Sequence, residues 1–392
     1  MTPDSQQYSH QRIPYRVRFE DHSVIKETYS GQLNMITLEG HLLRPDDCPS
    51  KTLLLFMHPS GLMHYLPFPI AMAEAGYHVM TCGSRYPKND SALIMEKVAL
   101  DMQAHMRHAR EEFGYEKIVL AGWSGGGSLS MFYQSEAEDP SITETPGGDP
   151  VDLVGAGFEP ADAVLQLAAH VSRALILTEW MDASIIDEQN PDIRNEEFNL
   201  YNPDNPNQPT YSAAFLERYI AAQVARNRKI TSWVQDRLAY LREHKGPAAE
   251  QGFVVHGTMA DPRWLDPTID PNDRKPNWSY MGDPAMLNNA PAGLARFCTL
   301  RSWLSQWSCD LSAANGPACA ARISVPVLVV GNTADDGCTP SHTNRIFEAV
   351  ASKDKSLQFV QGATHYYFGQ PDKLQNAVET VDAWLRERDF WA

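Results

Sequence analysis

The sequence has no long apolar run. No stretch reaches the ~18 consecutive apolar residues of a membrane-spanning helix. The opening residues, Met1 to His10, carry neither a basic start nor an apolar segment, so no secretory leader is visible and a cytoplasmic location is expected. Positive charge is scarce. The formal net charge is −16, which argues against nucleic acid and anionic membrane surfaces as partners. The six cysteines (Cys48, Cys82, Cys298, Cys309, Cys319, Cys338) show no Cys-x-x-Cys spacing and no grouping with histidine. No metal site is expected from them. They read as reduced packing residues, with a Cys309–Cys319 disulfide left open. Internal repeats and low-complexity tracts are absent.

What the chain does have is enough apolar material for a large core. Hydrophobic residues make up 43% of 392, which suits one large domain or a core domain with an insertion. Nine tryptophans suggest an aromatic-lined cavity or lid. Strand and helix signals alternate. Strands are expected at 15–20, 31–43, 52–57, 77–82, 117–121 and 162–168, and again at 325–331 and 356–361. Helices are expected at 68–75, 92–113, 341–351 and 372–388. Such alternation predicts a mostly parallel sheet with helices on both faces. Residues 136–151 are acidic and rich in Pro, Gly and Thr and predict a loop. After His170 the sheet signal lapses, and residues 211–243 read as helical.

The most informative run is Leu120-Ala121-Gly122-Trp123-Ser124-Gly125-Gly126-Gly127-Ser128. It lies between a strand signal and a helix signal, the setting in which Gly-x-Ser-x-Gly forms a nucleophile elbow. The turn forces its central residue into a strained conformation and brings backbones close, so the flanking residues must be small. A serine hydroxyl needs a base to take its proton and an acid to orient that base. After the strand at 325–331 come Asp335 and Asp336, and after the strand at 356–361 comes His365.

The order Ser…Asp…His on this strand–helix pattern resembles the α/β-hydrolase fold superfamily, over residues 50–135, 162–170 and 325–390. The resemblance implies an α/β-hydrolase core at 1–169 and 321–392, with a large, mainly helical cap at 170–320 inserted after the sixth strand. It implies Ser124 as nucleophile and His365 as general base. The acid is Asp336, which lies four residues before Pro340, with Asp335 as the alternative. The Gly125 amide would stabilise the oxyanion. A second donor should come from the loop His58-Pro59-Ser60-Gly61, where proline replaces the glycine usual in the family and cannot donate. Ser60 is then the candidate, with Gly61 next and His58 bracing the loop. His170, Trp123 and Tyr366 are candidates for contact with substrate.

The activity so implied is hydrolysis of a carboxylic ester-type bond in a medium-sized, partly apolar small molecule, through an acyl-enzyme on Ser124. No metal or organic cofactor is required. Carbon–carbon, lactone, thioester or amide cleavage would use the same three residues, and a small-molecule receptor is a reading of another class. Monomer and homodimer are both compatible with the sequence.

Overall fold

The computed structural model describes residues 7–29 and 34–391. Two long strands open the chain, β1 (His10–Glu20) and β2 (Met35–Pro45). Residues 31–33, assigned to the second strand from sequence, lie outside the described residues. The core continues with β3 (Thr52–Met57), α1 (Pro67–Glu74), β4 (His78–Cys82), α2 (Met95–Glu111), β5 (Lys117–Trp123), α3 (Gly125–Glu138) and β6 (Ala163–Leu167).

Six of these strands join β9 (Val327–Asn332) and β10 (Lys355–Val360) in one eight-stranded sheet of order β1-β2-β4-β3-β5-β6-β9-β10. β2 runs antiparallel to both its neighbours, and the pairs from β4 to β10 are parallel. The central strands are buried on both faces, as their unbroken apolar runs require. Alternate residues feed two cores. Leu53, Leu55, Ile118 and Leu120 pack with α2 and α3. Leu54, Phe56, Val119 and Ala121 pack with α1 and with α11, introduced below.

The acidic tract from Glu136 does not begin as a loop. α3 runs on to Glu138, and Glu136 is buried. Its carboxylate accepts the amides of Ser141 and Ile142 at 2.8 and 3.1 Å and pairs with Arg322 at 2.9 Å. Those partners lie outside the helix, so local composition could not reveal them.

Between β6 and β9 lie α4 (Arg173–Trp180), the 33-residue α5 (Ala213–Lys245) and a small ribbon of β7 (Gly252–Val254) and β8 (Phe297–Thr299). The one-turn helices α6 (Pro262–Leu265), α7 (Pro284–Leu287), α8 (Leu300–Ser302) and α9 (Gly316–Ala320) accompany them, with a π-helical turn at Trp303–Trp307. This segment has its own apolar cluster, built on Leu177, Ile230, Val234, Leu238, Trp303 and Trp307. Of the tryptophans between β6 and β9, Trp180, Trp264, Trp303 and Trp307 are buried, whereas Trp233 and Trp278 are about two-fifths exposed. After β9 come α10 (Pro340–Ala349), β10 and α11 (Pro371–Arg386). All six cysteines are free. Among the described residues no helix is long and apolar enough to cross a membrane.

The two ends of the β6–β9 segment meet where Gly316 N–H donates to Val171 O at 2.8 Å. A Cβ at position 316 would come within 2.2 Å of that carbonyl oxygen. Gly316→Ala is therefore expected to force the two chain ends apart and cost about 1–3 kcal/mol, the usual scale of overpacking. Urea unfolding of the variant against the parent measures this, and an unchanged midpoint would contradict the contact.

Candidate active site

An eight-stranded sheet in this order, with a serine held at positive φ between its fifth strand and the next helix, is the α/β-hydrolase fold. In open sheets of this kind, ligands bind at the carboxyl ends of the strands. Ser124 stands there, at φ 52° and ψ −121°. The strain is enforced by crowding. A Cβ on Gly122 would lie 2.6 Å from Gly127 Cα, and one on Gly126 would lie 2.4 Å from Met57 O. Ser124 N–H donates to Leu167 O at 3.2 Å, which ties the elbow to the end of β6.

His365 follows β10 and is buried among rings. Tyr366 lies 4.6 Å away between centroids, and Trp123 and Tyr280 lie 6.2 Å away. Its Nδ1 bonds the Asp335 carboxylate at 2.7 Å. That bond places the ring proton on Nδ1 and leaves Nε2 as the free acceptor. The other Asp335 oxygen accepts the amides of Gly337 and Cys338, both at 2.8 Å. Burial alone would lower the His365 pKa, but the charge of Asp335 and its hydrogen bond outweigh burial and raise it above 6.5.

Asp335, not the sequence-preferred Asp336, is thus the partner of His365. Asp336 is mostly buried and makes no side-chain hydrogen bond among the described residues. Burial, then the neighbouring Asp335 charge, pushes its pKa up to about 7. Its main-chain carbonyl accepts the indole N–H of Trp264 at 2.6 Å. Nearby, Asn272 donates to Asp335 O at 2.8 Å, and the Asp273 amide donates to Thr333 O at 2.7 Å. Residues 261–291, dense in Pro, Asp, Asn and Trp, are therefore ordered in part against the acid loop. The spacing to Pro340 pointed to the wrong one of two adjacent aspartates, because the loop after β9 turns the first of them, not the second, toward His365.

Ser124 and His365 open into one cavity of about 200 Å³. No hydrogen bond joins them among the described residues, which is common before substrate tightens such a site. The cavity also takes in Ser60, His170 and Tyr366, three of the residues singled out from sequence. Trp123 does not reach it. That indole packs under the elbow against Phe68 and Tyr367 and is 2% exposed, because its side chain follows the alternation of β5 onto the α1 face. Ser60 lines the cavity, but its amide, expected to be the second oxyanion donor, is directed at His58 Nδ1 at 3.2 Å. The Gly61 amide meets the same nitrogen at 2.7 Å.

Sequence reasoning missed Asp90, Arg173, Ile176, Trp180, Tyr280 and Leu294 as cavity residues, whereas Trp307, one of the tryptophans expected to line a cavity, does so. The buried Arg173 pairs with Asp90, donates through Nε to Gln306 at 3.0 Å and stacks 4.4 Å over Trp307. A serine motif carries no signal for these positions, since four separate segments supply them. His170 is buried with its Nδ1 unpartnered among the described residues. Burial, then the Arg173 charge, holds its pKa well below 6.5, so it is neutral.

Asp335, Cys338 and His365 bring three potential ligand atoms within 4.8 Å. The carboxylate is already committed to His365 and two amides. Burial, then the charges of Asp335 and Asp336, pushes the Cys338 thiol well above its ordinary pKa, so without a metal it stays protonated. A larger cavity of about 400 Å³ lies between α5 and β7, beside Trp233 and Phe253, and is lined by none of Ser124, Asp335 and His365.

No family model matches the chain. No curated protein matches it either. Solved structures of similar fold include a monoacylglycerol lipase of Paleococcus ferrophilus, 17% identical, with 89% of this chain and 98% of that one covered and a TM-score of 0.44. The esterase domain of a Rhodothermus marinus protein is 13% identical, with 95% and 98% covered and a TM-score of 0.45. An esterase of Pyrococcus furiosus is 11% identical, with 100% and 94% covered and a TM-score of 0.46.

The raised pKa of Asp336 makes a stability prediction. Its folded-state value of about 7 exceeds the ordinary 3.8, so its stabilising contribution is complete below the unfolded value and is lost as pH rises through about 7. Asp336→Asn, isosteric and uncharged, is expected to be more stable than the parent above pH 7 and to lose this advantage towards pH 4. Urea midpoints of the two proteins across that range check it. The same difference at every pH would mean that Asp336 does not titrate in this way.

Proposed function

We propose that the protein is a serine hydrolase acting on a carboxylic ester. Ser124 attacks the carbonyl carbon while His365 Nε2 takes its proton. The resulting imidazolium is held by Asp335, then protonates the departing alcohol, leaving an acyl group on Ser124. A water deprotonated by the same imidazole attacks the acyl carbon and frees the acid. Oxyanion stabilisation by the Gly125 amide, adjacent to the nucleophile, fits this course. The reaction as written needs neither a metal nor an organic cofactor.

One observation carries the reading: a serine held in a strained turn and an imidazole bonded to a buried carboxylate open into the same cavity. The cavity's size refines the substrate. Pockets that hold drug-sized ligands measure roughly 300–1,000 Å³, more than the about 200 Å³ of this cavity. The part of the substrate held around Ser124 is therefore compact, smaller than the medium-sized molecule expected from sequence. Its surroundings are mixed, with Ile176, Leu294 and Trp307 on the apolar side and Arg173 and His170 on the polar side. Residues 170–320 serve as the cap over the core of 1–169 and 321–392. α4 and the π-helical turn contribute Ile176, Trp180 and Trp307 to the cavity wall.

A fluorophosphonate is expected to form an adduct on Ser124, seen by mass spectrometry of the labelled peptide and lost in Ser124→Ala. An unlabelled Ser124 would defeat the reading. Among p-nitrophenyl esters, acetate and butyrate are expected to outperform decanoate in kcat/KM, and the reverse order would defeat the compact-substrate reading. Asp335→Asn is expected to lower kcat by about 10³–10⁴-fold, because an amide at that position favours the wrong imidazole tautomer. Asp336→Asn should change it far less. Equal losses in the two variants would remove Asp335 from this role.

A further inference from the structure

We infer that the His58 side chain, through its Nε2–H, is the second oxyanion donor of this site, in place of a main-chain amide. The inference rests on the hydrolase reading above and adds a catalytic residue to it.

Three observations on the loop after β3 lead there. The first is a loss of donors. Pro59 has no N–H, and the amides of Ser60 and Gly61 both point at His58 Nδ1, at 3.2 and 2.7 Å. The second is the tautomer those bonds impose. A nitrogen that accepts two N–H bonds carries no proton, so in the neutral ring the proton sits on Nε2. The ring is neutral: burial first, then the charges of Arg173 and His365, lowers its pKa to about 3. A neutral imidazole donates a hydrogen bond without giving up its proton, as a non-dissociating electrophile must.

The third observation is direction. His58 lines the cavity that holds Ser124 and His365. A Cβ built on Gly125, whose amide is the first oxyanion donor in the reading above, would lie 2.6 Å from His58 Nε2. The imidazole edge thus reaches the residue next to the nucleophile, and among the described residues nothing accepts its Nε2 proton. When the carbonyl carbon bonds to Ser124 Oγ, the π electrons move onto the carbonyl oxygen, and Gly125 N–H and His58 Nε2–H meet it together. No proton changes place at His58. The Gly125 position also needs glycine here, since any side chain would collide with that ring.

Two substitutions separate donation from loop bracing. Asn at position 58 keeps an acceptor near Nδ1 but has no donor where Nε2 stood. Gln places an N–H group near Nε2. The readout is the rate of Ser124 phosphonylation by a fluorophosphonate, whose phosphoryl oxygen occupies the same oxyanion site and which requires no knowledge of the substrate. His58→Asn is expected to react about 10²–10³-fold more slowly than the parent, the usual cost of one lost donor. His58→Gln is expected to recover at least about tenfold of that loss, with urea midpoints reported for both variants. A His58→Asn rate within about threefold of the parent would overturn the inference. So would equal losses in the two variants, which would leave His58 as a brace alone. A parent protein that is never phosphonylated on Ser124 would instead overturn the hydrolase reading and this inference with it.

Discussion

The left-handed backbone at Ser124 is the constraint on which the site is built. A non-glycine residue at φ 52° costs of order 1–3 kcal/mol and persists only where its surroundings allow no alternative. Those surroundings are main chain pressed against main chain. Gly122 meets Gly127, Gly126 meets the end of β3 at Met57, and Gly127 meets Ala169 beyond β6. Three consecutive parallel strands thus grip one turn. The sheet supplies the rigidity, the glycines permit the approach, and the hydroxyl is left facing the cavity.

The acid side of the site is supported differently. Asp335 sits on a loop after β9, where it accepts the Gly337 and Cys338 amides, and that loop is further steadied from the β6–β9 segment by Asn272, Asp273 and Trp264. The same segment furnishes much of the cavity wall. The wall of the cavity and the position of Asp335 are therefore mechanically linked. A change in the 261–291 loops can reach His365 through Asp335 without altering the cavity lining.

Three histidines border the cavity, and their surroundings drive them apart. Burial lowers His58 and His170, and the nearby Arg173 guanidinium lowers both further. Burial acts on His365 as well, but the Asp335 carboxylate reverses the outcome. One imidazole is thus prepared to accept a proton, while two stay neutral beside it. Separation of this kind between chemically identical side chains recurs at functional sites.

The amino-acid sequence by itself determined the fold class, the course of the central strands and the positions of Ser124 and His365. Those features rest on local signals: apolar runs, the spacing of small residues around a serine, and the order of motifs along the chain. Tertiary structure decided the rest. Asp335 and Asp336 are neighbours in sequence, and the direction of one loop, set partly by Trp264 and Asn272 from a distant segment, turned the first of them toward His365. Trp123 was carried beneath the elbow by strand alternation, away from the cavity it was expected to line. Arg173, Trp180, Tyr280 and Trp307 joined the site from segments with no catalytic motif. Local interactions are written in adjacent residues and can be read there. A cavity is a meeting of distant segments, and which side chains face it depends on packing that no short stretch of chain specifies.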